Sequence, residues 1–199
     1  MTLDSLTALA VFAFVATATP GPNNLMLMAS GANFGFRRAV PHMLGVGIGF
    51  VAMILLVGVG LVGIFEQYPE ARTVLKAVSI AYLLYLAWKI ATAAAPEEGG
   101  EAGRPITFVQ AAAFQWVNPK AWTMVLSAVV AYAPSQSLAA VGIVAAMFAL
   151  VALPCISAWT VMGQELRRVL TDQRRLRAFN VFMALILVAS LYPVVFPTV

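Results

Sequence analysis

Apolar residues in this chain gather into six long runs, parted by short stretches that carry most of its Arg, Lys, Asp and Glu. Each run is long enough to cross about 30 Å of hydrocarbon at about 1.5 Å per helical residue. The pattern predicts helices over about 3–34, 40–65, 72–94, 106–132, 138–162 and 178–196. The expected fold class is therefore all-α, a polytopic membrane protein with six transmembrane helices. The stretch 96–105, with Pro96, Gly99, Gly100, Gly103 and three glutamates, reads as a linker. It divides a single transmembrane domain, 1–199, into a first repeat, 1–95, and a second, 106–199.

Two of the runs hold residues that a continuous membrane helix should not contain. The first carries Thr19-Pro20-Gly21-Pro22-Asn23-Asn24, and the fourth carries Asn118-Pro119-Lys120. Proline lacks an N–H and clashes with the carbonyl four residues back, so Pro20, Pro22 and Pro119 free the carbonyls of Ala16, Ala18 and Gln115. Past the first break a half-helix restarts with unpaired N–H groups at Gly21, Asn23 and Asn24, the positive end of a helix dipole. Helices 1 and 4 are thus expected to be broken, both near the midplane. Three helices per half is an odd number, so the second half enters from the opposite side and the two form inverted repeats. Proline kinks that only shape the bundle are the plainer alternative. Matched positions, one with asparagines and one with a lysine, favour a binding site.

Composition agrees with membrane insertion: 62% of residues are hydrophobic, 10% are charged and the mean hydropathy is +0.90, against about 25% charged in soluble domains. The net charge of +4 comes mostly from arginines at the ends of the runs, which reads as topology and not as a nucleic-acid footprint. Arg37, Arg38, Lys89, Arg104, Arg167, Arg168 and the arginines at 174, 175 and 177 follow helices 1, 3 and 5, whereas the other side has Arg72 and Lys76. The positive-inside rule makes the odd loops cytoplasmic and sends both termini outward. Trp88 and Trp159 near the inner ends, with Tyr68, Tyr132 and Tyr192 near the outer ends, fit an aromatic belt. Ala16-Thr17-Ala18 resembles a cleavage site, but Met1 to Ser5 contains Asp4 and no Lys or Arg, the wrong charge for a secretory signal. The segment is read as a retained helix.

Lys120 is the most expensive residue in these runs, since a lysine at a helix centre is unfavourable by about 2.5–3.5 kcal/mol on insertion scales. Snorkelling is the plain alternative, yet from mid-helix the reach to either surface is long. Asp4, Glu66 and Glu165 sit at helix ends and no Asp or Glu lies deeper in any run, so the counter-ion sought is a substrate carboxylate, held by the Lys120 ammonium and the free N–H groups of the breaks. The freed carbonyls suit an ammonium group. An anion end and a cation end at one depth describe a site for a zwitterion, of which a free amino acid is the simplest. The expected substrate-binding set is Thr19, Pro20, Gly21, Pro22, Asn23, Asn24, Gln115, Asn118, Pro119 and Lys120.

Other residues leave the picture more open. Buried amides can merely staple helices, at about 0.6 kcal/mol each; Asn24 suits either role, while Asn23 and Asn118 favour function. Trp116 and Trp122 flank the second break, and either line a cavity or pack. His42 is the only histidine, too isolated to argue for a metal; with Lys120 it is the group left to couple a proton. The glycines of helix 2, with Gly45 to Gly49 in a small-xxx-small spacing, read as close packing within the fold or across a homodimer. Cys155 is a small buried apolar residue that has no second cysteine to pair with. Walker A, GxSxG and HExxH motifs are absent, so the chain reads as no enzyme, with no cofactor, and transport would be secondary or passive.

Through Thr19-Pro20-Gly21-Pro22-Asn23, Gly31 to Arg38 with Gly35-Phe36-Arg37-Arg38, the glycine-rich second helix and Asn118-Pro119-Lys120-Ala121, the whole chain resembles the LysE/RhtB family of bacterial amino-acid exporters. The resemblance implies a six-helix inner-membrane protein that uses the proton-motive force to export an amino acid, commonly homoserine, threonine, leucine, lysine, arginine or cysteine. The lack of an intramembrane acid counts against a dibasic substrate and favours a small neutral one. The partners expected are that substrate and membrane lipid, with no nucleic acid. A small channel, or a membrane protein that binds partners and transports nothing, is the alternative.

Overall fold

The computed structural model describes residues 1–61, 67–68, 70–93, 104–133 and 137–195. Residues 96–103 of the linker 96–105 and the predicted helix ends at 65, 94 and 196 lie outside the described residues. Among those residues the chain is helical and contains no strand.

Helix α1, Leu3–Ala18, starts at Thr2, whose hydroxyl accepts from the Ser5 N–H, and stops where Pro20 cannot extend it. Helix α2, Pro22–Leu56, has Pro22 in its first turn, where the missing N–H is harmless. Its two segments meet at Gly35, whose φ of 75° and ψ of 168° only glycine adopts readily. The Gln164 side-chain oxygen receives the Phe36 N–H at 2.8 Å just past this corner. A π-helical turn, Val57–Leu61, ends the second segment. Together 22–60 make 39 residues, about 58 Å of helix against about 30 Å of hydrocarbon, so the corner at Gly35 matters.

Helix α3 spans Glu70–Ala91. Helix α4, Phe108–Val117, opens on a Thr107/Gln110 capping box and closes at Asn118, which then caps α5, Pro119–Tyr132. Helix α6, Leu138–Val169, is capped by Ser137. It runs well past the expected end at 162, because the charged turn holding Glu165, Arg167 and Arg168 continues as helix. Helix α7, Gln173–Ala189, starts before the expected 178, because the Asp172 carboxylate receives the Arg174 N–H at 2.9 Å and seeds a basic first turn. A last turn, α8, spans Tyr192–Val195.

Among the described residues, three stretches can cross a membrane by length and composition, 22–60, 73–91 and 138–169; α1 is a shorter apolar helix. The outer surface is apolar, with Val109, Val130 and Leu150 at least 70% exposed, the expected face toward lipid. The interior holds two apolar clusters. Leu27, Phe114, Ile156 and Met183 belong to one; Leu9, Phe50, Val125 and Phe148 belong to the other. Helix α1 and helix α5 supply only the second cluster, while the start of α2 and helix α4 supply the first. Both interruptions therefore fall where the two clusters meet.

At four glycines the helices touch closely, because no side chain keeps them apart. A Cβ on Gly31 of α2 would collide with the Thr160 carbonyl of α6, and one on Gly163 of α6 with the Met28 carbonyl of α2. Gly45 and Gly49 meet α4 in the same way, at Phe108 and Ala112. The small-xxx-small spacing of helix 2 thus packs within the chain. Cys155 is buried, as expected.

Candidate functional site

The two interruptions come together in space through Lys120. Its ammonium donates to the Thr19 carbonyl at 2.8 Å, the Thr19 hydroxyl at 2.9 Å and the Pro20 carbonyl at 3.3 Å. Gly21 makes room for the lysine stem: a Cβ there would lie 2.7 Å from Lys120 Cδ and 3.0 Å from Nζ. Helix α5 begins one residue before the lysine, and its Asn118 cap receives the Lys120 N–H at 3.1 Å. That cap fixes where the lysine leaves the backbone.

A reciprocal amide pair forms a second tie. Asn23 Nδ2 donates to Gln115 Oε1 at 2.8 Å and Gln115 Nε2 donates to Asn23 Oδ1 at 3.1 Å, with a further Gln115 bond to the Ala111 carbonyl at 2.9 Å. The Asn24 amide donates to the carbonyls of Thr17 and Thr19, both at 2.8 Å, and bridges α1 to α2. No side chain caps α2 at Gly21.

A small cavity of about 40 Å³ opens between these groups, room for a few waters at about 10–15 Å³ each. Gly21, Asn23, Asn24, Asn118 and Lys120 form its polar lining. Val46, Phe50, Met124, Ala152 and Ile156 contribute an apolar lining. Val46 and Ile156 belong to one core cluster, Phe50 to the other, so the cavity straddles their boundary. No carboxylate is among its described lining residues. The ion pair found among the described residues, Arg168 with Glu165 at 2.7 Å, lies on the exposed end of α6.

Of the expected site residues, the cavity gathers five at its wall. Thr19 and Pro20 bind the lysine from behind, and Pro22 and Pro119 occupy first helical turns. Gln115 is fully buried and holds Asn23 without lining the cavity. His42 stands apart: it is fully buried, its Nδ1 lies 2.8 Å from the Ser30 hydroxyl, and its Nε2 has no hydrogen-bond partner among the described residues.

Two expectations are corrected and one open alternative is decided. The carbonyls released by proline are not vacant: that of Ala16 accepts from the Thr19 hydroxyl at 3.1 Å, that of Ala18 from Trp159 Nε1 at 3.2 Å and that of Gln115 from the Asn118 N–H at 3.4 Å. Buried polar groups are rarely left unpaired, and local donors reach them first. Trp159, expected in the aromatic belt, donates instead to a carbonyl of the first break. Trp116 and Trp122 pack edge to face at 6.4 Å, with Trp122 Nε1 on the Trp116 carbonyl at 2.8 Å, and neither is among the lining residues.

Sequence reasoning missed the apolar wall and a second buried amide pair, Asn33 with Asn180, whose two bonds measure 2.7 and 2.8 Å. The available signal was Asn180, alone in its apolar run, and Asn33, a third asparagine in the first run. The wall gave none, since its residues look like any others in their helices.

The family model for LysE type translocators matches residues 14–190. The chain belongs to the LysE type translocator family. As a LysE-type protein it is a membrane translocator and not an enzyme. It is 30% identical to the cysteine/O-acetylserine efflux proteins of Escherichia coli strain K12, Escherichia coli O9:H4 strain HS and Shigella sonnei strain Ss046. Each match covers 94% of this chain and 96% of the relative. No solved structure matches the chain.

Proposed function

We propose that this LysE-type translocator exports a small neutral amino acid of the cysteine or O-acetylserine kind across the bacterial inner membrane, driven by the proton gradient. The observation that carries this reading is the Lys120 ammonium at a cavity whose described lining has no carboxylate, held only by neutral oxygens of Thr19 and Pro20. A cation placed so lacks its anion, and a substrate carboxylate supplies one.

Six spans, arranged as two inverted repeats with α1–α2 and α4–α5 as the broken helices, put that cation near the midplane and both termini outside. The meeting of the breaks at the boundary of two core clusters supports this arrangement. In the state described, Lys120 itself occupies the carbonyls of Thr19 and Pro20. A carboxylate that draws the ammonium away leaves those carbonyls for the substrate's own ammonium, so both ends of a zwitterion are received in one exchange. The efflux relatives and the translocator family favour this over a partner-binding role.

The test is counterflow of labelled amino acids in proteoliposomes, with and without an imposed pH gradient, beside Lys120→Met. Saturable exchange of a few neutral amino acids, raised by the gradient and lost in the variant, is the expected result. Folded protein that exchanges no amino acid refutes the reading.

A further inference from the structure

The glycines of the second segment of α2 differ in what surrounds them. Added Cβ atoms on Gly45 and Gly49 would strike the backbone of α4, the latter 2.7 Å from the Ala112 Cα, so these two glycines serve helix contact. Gly47, between them in sequence, points elsewhere. A Cβ there would meet only Ile156 Cδ1 of α6, at 3.8 Å, an ordinary van der Waals distance. Gly47 and Ile156 both line the cavity that holds Lys120.

A helical glycine with open space before it has no packing reason to be glycine, and it weakens the helix by about 0.8–1 kcal/mol against alanine. The volume it leaves is cavity volume. The remaining wall here is apolar, from Val46, Phe50, Met124 and Ala152, while the charged and amide groups come from the two breaks. A zwitterion whose charged ends are taken by the breaks has only its side chain to set against that wall.

We propose that Gly47 is a specificity-determining residue: its missing side chain sets the largest substrate side chain that the apolar wall, with Ile156 opposite, can accept. The inference rests on the amino-acid reading above. Filling the space with one or three carbons shortens the acceptable substrate without touching Lys120 or the amide ties. A hydrophobic pocket discriminates by about 10- to 200-fold per methylene when contact is tight.

The experiment is counterflow with a graded panel of neutral amino acids, alanine, cysteine, homoserine, O-acetylserine and leucine, in wild type, Gly47→Ala and Gly47→Val. Gly49→Ala serves as a packing control. The expected result is that Gly47→Val lowers transport of the longest accepted substrate about tenfold or more relative to the shortest, with Gly47→Ala intermediate and Gly49→Ala lowering all equally. Should the valine variant fail to fold, the alanine variant carries the ratio alone. An equal loss across the panel, or an unchanged ratio, overturns the role of Gly47 while leaving amino-acid transport intact. A wild type that moves none of the panel overturns both.

Discussion

Lys120 and Thr19 stand on opposite sides of two helix breaks, and the lysine ammonium holds both the carbonyl and the hydroxyl of that threonine, at 2.8 and 2.9 Å. One residue thereby closes two features that lie far apart along the chain. A bond from a charged donor contributes about 1.5–3 kcal/mol.

Lys120→Met keeps the stem but removes the charge. Exchange is expected to fall at least about tenfold in proteoliposomes, the equivalent of one lost charge-assisted bond, while the protein still purifies as a folded species. Undiminished exchange would show that the substrate carboxylate is held elsewhere.

Asn23 and Gln115 satisfy each other across the same junction. Replacing either with alanine strands the other's amide, so the double variant should be less damaged than the sum of the singles. A coupling of about 0.6 kcal/mol, up to about 1.7, is expected from membrane double-mutant cycles, read by unfolding in detergent. Strict additivity would mean the pair holds nothing together.

Gly31 and Gly163 admit no side chain, because each faces a backbone carbonyl of the other helix. Gly31→Ala and Gly163→Ala should each lower stability by about 1–3 kcal/mol through overpacking. Gly142, with nothing within 4 Å of an added Cβ, should accept alanine neutrally or with a gain of up to about 1 kcal/mol. Thermal unfolding of the three variants gives the comparison, and wild-type stability in Gly31→Ala would contradict the close contact.

His42 has one ring nitrogen on Ser30 and the other unpartnered among the described residues. A buried polar atom without a partner calls for an explanation, and a role in coupling is one that substitution can test. His42→Asn is expected to retain exchange without a gradient and to lose stimulation by an imposed one. Intact stimulation in that variant assigns the coupling to another group.

What the chain's own order of residues determined was everything that depends on local chemistry. Hydrophobic runs marked the helices because lipid-facing surface needs apolar side chains. Thr19-Pro20-Gly21-Pro22 and Asn118-Pro119 marked the interruptions because proline removes a bond wherever it stands. Lys120 announced itself as a cation without an acid near it in the sequence. The tertiary structure alone decided which groups meet. Trp159 reaches the Ala18 carbonyl across 141 residues of chain, and α6 continues to Val169 because a helix end among charged residues carries no strong stop signal. Gln115 became a support for Asn23, and the face of α2 that carries Gly47 came to lie on the cavity, through the rotation of each helix against its neighbours. That rotation is set by the shapes of two surfaces in contact, and a single strand of letters shows only one of them at a time.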